Sequence, residues 1–262
     1  MPPARRSKDD PPRIPWVPPV KVSVILPAYN EERTIRRILD AVEGVDLSAL
    51  PGPVALDIIV VDDASRDRTA DVAAADPRVR LLRPPTNRGK GAPLRTGLAH
   101  AAGDVVIVQD ADMEYSVEDY PALLRPFFDT DAQVVYGSRF LARRWPAGMR
   151  LPNYLANRLL TLAANLLYQA RLTDEATCYK VFRTEFLRSL PLRADGFDFC
   201  PEVTALARRR GARIIERPVA YAARSRAEGK KVRWTHGIQA LWTLLAWRVR
   251  PLPKAHERKE AP

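Results

Sequence analysis

Two carboxylates one residue apart, Asp110 and Asp112, close the run Val105-Val106-Ile107-Val108-Gln109-Asp110-Ala111-Asp112. The consecutive apolar residues predict a strand buried on both faces. Side chains alternate along an extended chain, so both acids point the same way off its carboxyl end. In an open α/β sheet that end is where ligands bind. Paired hard oxygen ligands suit Mg²⁺ or Mn²⁺, and such a cation suits a diphosphate. The competing interpretation is an acidic turn facing water.

Other predicted strand ends carry polar clusters too. The first runs into Pro27-Ala28-Tyr29-Asn30-Glu31-Glu32, where Asn30 can cap the next helix and Tyr29 can stack on a base. The second ends Asp62-Asp63-Ala64-Ser65-Arg66-Asp67-Arg68-Thr69. Ser65 or Asp67 suits a helix cap, which leaves Asp62 and Asp63 to accept hydrogen bonds from a ribose or base. Asn87-Arg88-Gly89-Lys90-Gly91 opens a further helix, with glycines for close backbone approach and cations for phosphate. It lacks Walker A spacing.

The elements that would position these groups alternate. Strands are predicted at residues 21–26, 57–62, 79–82, 104–109, 133–136 and 213–216, with helices at 31–42, 67–75, 92–102 and 117–128. This rhythm predicts an α/β fold, a mostly parallel sheet with helices on both faces. From Asn153 the pattern turns helical, with Leu155, Leu159, Leu162, Leu166 and Leu167 as one apolar stripe. A C-terminal amphipathic helix, residues 236–250, carries Ile238, Leu241, Trp242, Leu245 and Ala246 on one side. Either stripe can pack on the sheet or touch lipid. Residues 1–19 and 251–262, rich in Pro and charge, are expected to be disordered tails.

Composition narrows the partners. The chain has 262 residues, 46% of them hydrophobic, and a formal charge of 42 − 31 = +11, which favours anionic partners. Two cysteines and three histidines without metal-ligand spacing argue against structural zinc and fit a reducing, cytoplasmic setting. No signal peptide is apparent, and no apolar run approaches the roughly 20 residues of a spanning helix.

In this order, Pro-Ala-Tyr-Asn-Glu, Val-Asp-Asp-Ala-Ser-x-Asp-x-Thr, Asn-Arg-Gly-Lys-Gly, Gln-Asp-Ala-Asp and Gly137-Ser138-Arg139 resemble family 2 glycosyltransferases of the GT-A fold. Within that family the likeness is to dolichyl-phosphate mannose synthases and related polyprenyl-phosphate glycosyltransferases, over about residues 20–235. The resemblance implies that Pro27, Tyr29, Glu31, Asp62 or Asp63, Lys90, Asp110 and Ala111 surround a nucleotide sugar. Asp110, Asp112 and Glu114 would be metal ligands, with Glu114 where dolichyl-phosphate mannose synthases carry Gln. Arg139 would face the phosphates. Asp174, in Thr173-Asp174-Glu175-Ala176-Thr177-Cys178-Tyr179-Lys180, would orient the acceptor or serve as a base. Arg224 and Lys230, on a basic loop, would clamp donor and acceptor phosphates.

The implied reaction is inverting transfer of a hexose from GDP-mannose or UDP-glucose to a polyprenyl or dolichyl phosphate. The enzyme would be peripheral, at the cytoplasmic face of a membrane. A phosphate nucleophile is already ionised at neutral pH, so no strong base is required; a hydroxyl acceptor would need one. A soluble or glycan hydroxyl is the alternative acceptor. A nucleotidyltransferase would want a Gly-rich loop after the first strand, which Pro27-Ala28-Tyr29-Asn30 is not. A nucleic-acid-binding protein would use the +11 charge and Arg208-Arg209-Arg210, but no recognition motif accompanies them, so no nucleic-acid partner is expected.

Overall fold

The computed structural model describes residues 20–224 and 234–252. Its elements follow the predicted rhythm: β1 Val20–Ala28, α1 Ile35–Glu43, β2 Val54–Asp62, α2 Thr69–Ala74, β3 Val79–Leu82, α3 Gly91–His100 and β4 Val105–Val108. Then come α4 Tyr120–Asp129, β5 Val134–Ser138, α5 Arg139–Ala142 and α6 Leu151–Tyr168. The last part holds β6 Lys180–Arg183, α7 Thr184–Ser189, α8 Phe199–Arg209, β7 Ile214–Pro218 and α9 Trp234–Val249. The expected tails (1–19 and most of 251–262) and Lys230 lie outside the described residues.

The seven-stranded sheet has the order β3-β2-β1-β4-β6-β5-β7. β1 pairs in parallel with both β2 and β4, and β5 with β7. β6 alone runs antiparallel, between β4 and β5, and sequence reading missed it. The reason is Lys180, a fully buried charged residue that opens the strand. Its ammonium donates to the Glu175 carbonyl at 2.9 Å and lies 3.5 Å from the Tyr136 ring centre. Tertiary contacts thus satisfy a charge that local patterning places at the surface.

Alternate strand residues feed two cores. Ile25, Ile59, Val61, Val106 and Val108 pack toward α3, α6, α8 and α9. Val24, Leu26, Val60 and Ile107 pack toward α1 and α4 on the opposite face. Each buried aliphatic side chain contributes about 1.5–3 kcal/mol, which holds the carboxyl ends of β1, β2 and β4 in one line.

The structure decides which side of each long helix packs on the core. In α6 the core side is Leu160, Thr161, Ala164 and Tyr168, while Leu155, Leu159, Leu162 and Leu166 are exposed. In α9, Ala240, Thr243, Leu244 and Trp247 are buried, and Ile238, Trp242 and Leu245 face outward. Within the stripes Leu167 and Leu241 pack partly against the core, while the other leucines, Ile238 and Trp242 face outward. The Arg208-Arg209-Arg210 triplet also finds a structural use. Arg208 donates to the carbonyls of Tyr168, Gln169 and Ala212, and Arg209 to those of Trp247 and Arg250, tying α8 to the ends of α6 and α9.

Candidate active site

Register places the first two loops side by side. Ala28 lies opposite Asp62, and the Gln109 amide donates to the Ile25 carbonyl, so β1, β2 and β4 end along one edge. Hydrogen bonds then stitch the loops together. Asn30 donates from its amide to Ser65 Oγ and accepts from the Arg66 amide at 2.8 Å. This is its use in place of the expected helix cap; α1 begins later, at Ile35. The Glu31 amide donates to Thr69 Oγ1 at 2.7 Å. Asn30, Ala64 and Met113 have φ of 51°, 58° and 61°, so left-handed backbone recurs after all three strands. Such conformations cost free energy outside glycine and gather at functional sites.

The paired acids after β2 separate in role. Asp63 accepts the amides of Arg88 and Gly89 at 3.1 and 2.8 Å and so anchors the Asn87–Gly91 turn. Asp62 is fully buried; its Oδ2 accepts the Ser65 amide, and its Oδ1 has no hydrogen-bond partner among the described residues. A buried unpaired carboxylate oxygen is costly unless a ligand completes it. The glycines of the turn serve the chain itself. A Cβ on Gly91 would collide with the Ala194 carbonyl, and the Gly91 amide donates to the Asp195 carbonyl.

At the Asp-Ala-Asp run the acids diverge further. Lys90 Nζ lies 2.5 Å from Asp110 Oδ1 and 3.0 Å from Cys178 Sγ. Burial works to lower the Lys90 pKa, but Asp110, Cys178 and Cys200 together outweigh it and hold the ammonium well above its usual range. Asp112 accepts the Glu114 amide at 3.1 Å. Burial, and then the charges of Asp110 and Glu114, push the Asp112 carboxyl up to about 7. Glu114 itself accepts from Tyr221 Oη and from the Arg224 amide.

The expected triad of metal ligands is therefore not gathered. Among the described residues, no three Asp, Glu, His or Cys side chains converge as a metal site. Glu114 has turned to the returning chain at 221–224, and Asp110 to Lys90. What remains fits the lighter demand of a magnesium-type ion, held by one or two carboxylates together with substrate phosphates. Asp112, whose charge is suppressed by neighbouring acids, is the group whose ionisation a cation would restore.

Arg139 does not lie open to a ligand. It is buried, with Nε and Nη2 each 2.7 Å from the two oxygens of Asp174, and its amide also donates to Asp174. Asp174 is fully buried too, so both oxygens of the expected base are engaged. Glu216, unremarked in the sequence, fixes this segment by accepting the amides of Thr173 and Asp174. The Arg139 guanidinium also sits 5.1 Å from the Tyr221 ring centre. Tyr221 and Glu216 lie on β7 and beyond, and no motif flags them.

Arg224 joins the returning chain to the strand edge. Its Nε donates to the Asp112 carbonyl at 2.6 Å, and its Nη2 lies 3.0 Å from Glu31 Oε2. Pro27, Tyr29, Glu31, Asp62, Lys90, Asp110, Ala111 and Asp112 are thus collected along one edge, with Arg224 reaching across it. A cavity of about 380 Å³, between residues 193–202 and α9, includes none of them.

An open, mainly parallel sheet with an acidic ligand edge and a returning arm defines a GT-A glycosyltransferase. The chain belongs to glycosyl transferase family 2, whose pattern matches residues 23–190. It is an enzyme of the hexosyl-transferring kind. An undecaprenyl-phosphate mannosyltransferase of Micrococcus luteus is 33% identical over 231 residues, covering 80% of this chain and 87% of that protein. A dolichyl-phosphate β-glucosyltransferase, ALG5A, of Trichomonas vaginalis is 28% identical over 88% of this chain and 76% of its own length. Among solved structures, glucosyl-3-phosphoglycerate synthase of Mycobacterium tuberculosis, in complex with Mn²⁺, UDP and phosphoglyceric acid, superposes with a TM-score of 0.66. It is 25% identical, over 89% of this chain and 80% of that one.

Proposed function

We propose that the protein transfers a hexose, with inversion, from a nucleotide sugar such as UDP-glucose or GDP-mannose to a polyprenyl phosphate. The observation that carries this reading is the joining of Asp62, Asp110 and Asp112 along one strand edge, where one buried Asp62 oxygen has no hydrogen-bond partner among the described residues. Tyr29 and Asp62 hold the nucleoside. Asp112 would hold Mg²⁺ or Mn²⁺ together with the donor phosphates, beside an Asp110 that is already paired with Lys90. That cation supplies charge stabilisation to the departing nucleoside diphosphate.

The remaining steps belong to the chain's own residues. An acceptor phosphate oxygen attacks the anomeric carbon as the bond to the donor diphosphate breaks, which inverts the configuration. Arg224 shifts from Glu31 toward the phosphates. Arg139 and Asp174 act as a buried pair that positions Tyr221 and the arm bearing Arg224, rather than as a base. A phosphate acceptor suits this arrangement, because it arrives without a proton to remove. Sequence relatives that bear dolichyl- and undecaprenyl-phosphate names support the lipid acceptor, and a lipid acceptor calls for work at a membrane surface.

A soluble phosphorylated hydroxyl acceptor is the second reading, favoured by the mycobacterial structure's phosphoglyceric acid. The test is a panel of UDP- and GDP-sugars with Mn²⁺ or Mg²⁺, offered short-chain polyprenyl phosphate or phosphoglycerate. Metal-dependent transfer to the polyprenyl phosphate, with an inverted anomeric signal by NMR, is expected. Transfer confined to phosphoglycerate would overturn the lipid reading.

A further inference from the structure

Among the described residues, every large hydrophobic side chain that is exposed belongs to two stretches of the chain. Leu141, Trp145, Leu151, Leu155, Leu159, Leu162 and Leu166 lie on or just before α6. Ile238, Trp242, Leu245 and Val249 lie on α9. The two helices pack against each other and cover the same core through Leu160, Ala164, Tyr168, Ala240, Leu244 and Trp247. Each is therefore apolar on both sides, one facing the core and one facing out. Soluble monomers rarely carry such a concentration of apolar surface unless something covers it.

The charge around these stripes selects the cover. No Asp or Glu occurs between residues 132 and 173, or between 234 and 252. Exposed Arg143, Arg144, Arg150 and Arg158 flank the first stripe, and Arg248 and Arg250 the second. Of the acids nearest α9, Asp198 accepts the Gly196 amide. Asp195 pairs with Arg88 and Arg95, and Glu202 accepts the amides of Arg193 and Ala194. A second copy of the chain would set this positive rim against itself. An anionic bilayer would meet it with opposite charge, while Trp145 and Trp242 suit the headgroup boundary. No helix among the described residues is long and apolar enough to cross a membrane, so the face would lie on the bilayer.

We infer that the outward faces of α6 and α9 form a docking surface for an anionic lipid bilayer. For its purpose this rests on the polyprenyl-phosphate reading. It also orients the site. Arg158, on α6, donates to the Thr173 carbonyl, and its guanidinium lies 5.4 Å from the Phe140 ring centre. Phe140 is the residue after Arg139 and packs edge-on to Tyr154, which stacks on Trp145 at 4.3 Å. The Arg139–Asp174 pair thus stands next to the N-terminal end of the docking face, and the arm it positions, with Tyr221 and Arg224, lies on that side of the site.

The test is co-flotation of the full chain with vesicles, without donor or acceptor, so that the lipid-acceptor reading and this one can fail separately. Vesicles of equal parts phosphatidylglycerol and phosphatidylcholine are expected to carry the protein, and pure phosphatidylcholine vesicles far less. Leu159→Ser with Trp242→Ser should weaken partitioning about tenfold or more. Arg143→Glu with Arg144→Glu should weaken it on anionic vesicles only. Unchanged thermal melting of each variant shows that the fold is intact, because all four residues are exposed. Equal flotation of the wild type and both variants would overturn the proposal. So would a stable dimer in sedimentation that the Leu159/Trp242 variant dissolves.

Discussion

Lys90 and Asp110, twenty residues apart in the chain, form a near-buried ion pair at 2.5 Å between the turn before α3 and the end of β4. Half of the expected metal pair is thereby neutralised by the protein itself. Removing one partner of such a pair leaves an uncompensated charge and costs about 3–5 kcal/mol. Lys90→Met is expected to lower stability by that order in denaturant unfolding. Adding Asp110→Asn should recover part of the loss, since the double variant leaves no stranded charge. Additive losses would show that the pair is not coupled.

Asp112 is the acid that the structure leaves most in need of a cation. Asp112→Asn should cut metal-dependent turnover by about 10²–10³ or more. Its stability at pH 8 should match or exceed the wild type, because a half-buried carboxylate crowded by Asp110 and Glu114 is removed. Steady-state kinetics and thermal melts at pH 8 read the two effects independently. Near-normal turnover would remove Asp112 from the site.

The Arg139–Asp174 fork predicts a positioning phenotype. Asp174→Ala strands a buried guanidinium, and about 3–5 kcal/mol of stability should go with it. Arg139→Lys keeps the charge but loses the two-pronged geometry, so it should not restore the wild type. If Asp174 were a base, Asp174→Asn would shift the pH–rate profile. As a positioning residue it should lower kcat with the profile unchanged.

Glu175 gives stability a pH dependence of definite sign. It is fully buried, and neither carboxylate oxygen has a hydrogen-bond partner among the described residues. Burial raises its pKa from 4.5 to about 7, against the pull of Lys180. Between those values the folded chain keeps a proton that the unfolded chain has lost, so stability falls as pH rises. Glu175→Gln should therefore gain up to about 3 kcal/mol on the wild type between pH 4.5 and pH 8. Denaturant unfolding at both values measures it. A gain independent of pH would mean that Glu175 is ionised throughout.

The sequence by itself determined the alternation of strands and helices and the chemistry of the strand ends. Those features rest on local periodicity and on acids placed at the ends of apolar runs, such as Asp62 after Val61 and Asp110 two residues beyond Val108. It also determined family membership, because the ordered motifs reach the whole donor edge. Tertiary structure decided which acids are free to act. Asp63 goes to the Arg88 and Gly89 amides, Asp110 to Lys90, Glu114 to Tyr221 and Arg224, and Asp174 to Arg139. Each choice joins residues from 20 to more than a hundred positions apart, and no local pattern encodes them. Tertiary structure likewise decided which stripes of α6 and α9 face the core. Both sides of each helix are apolar, so periodicity cannot choose between them; the sheet does, by burying whichever side fits.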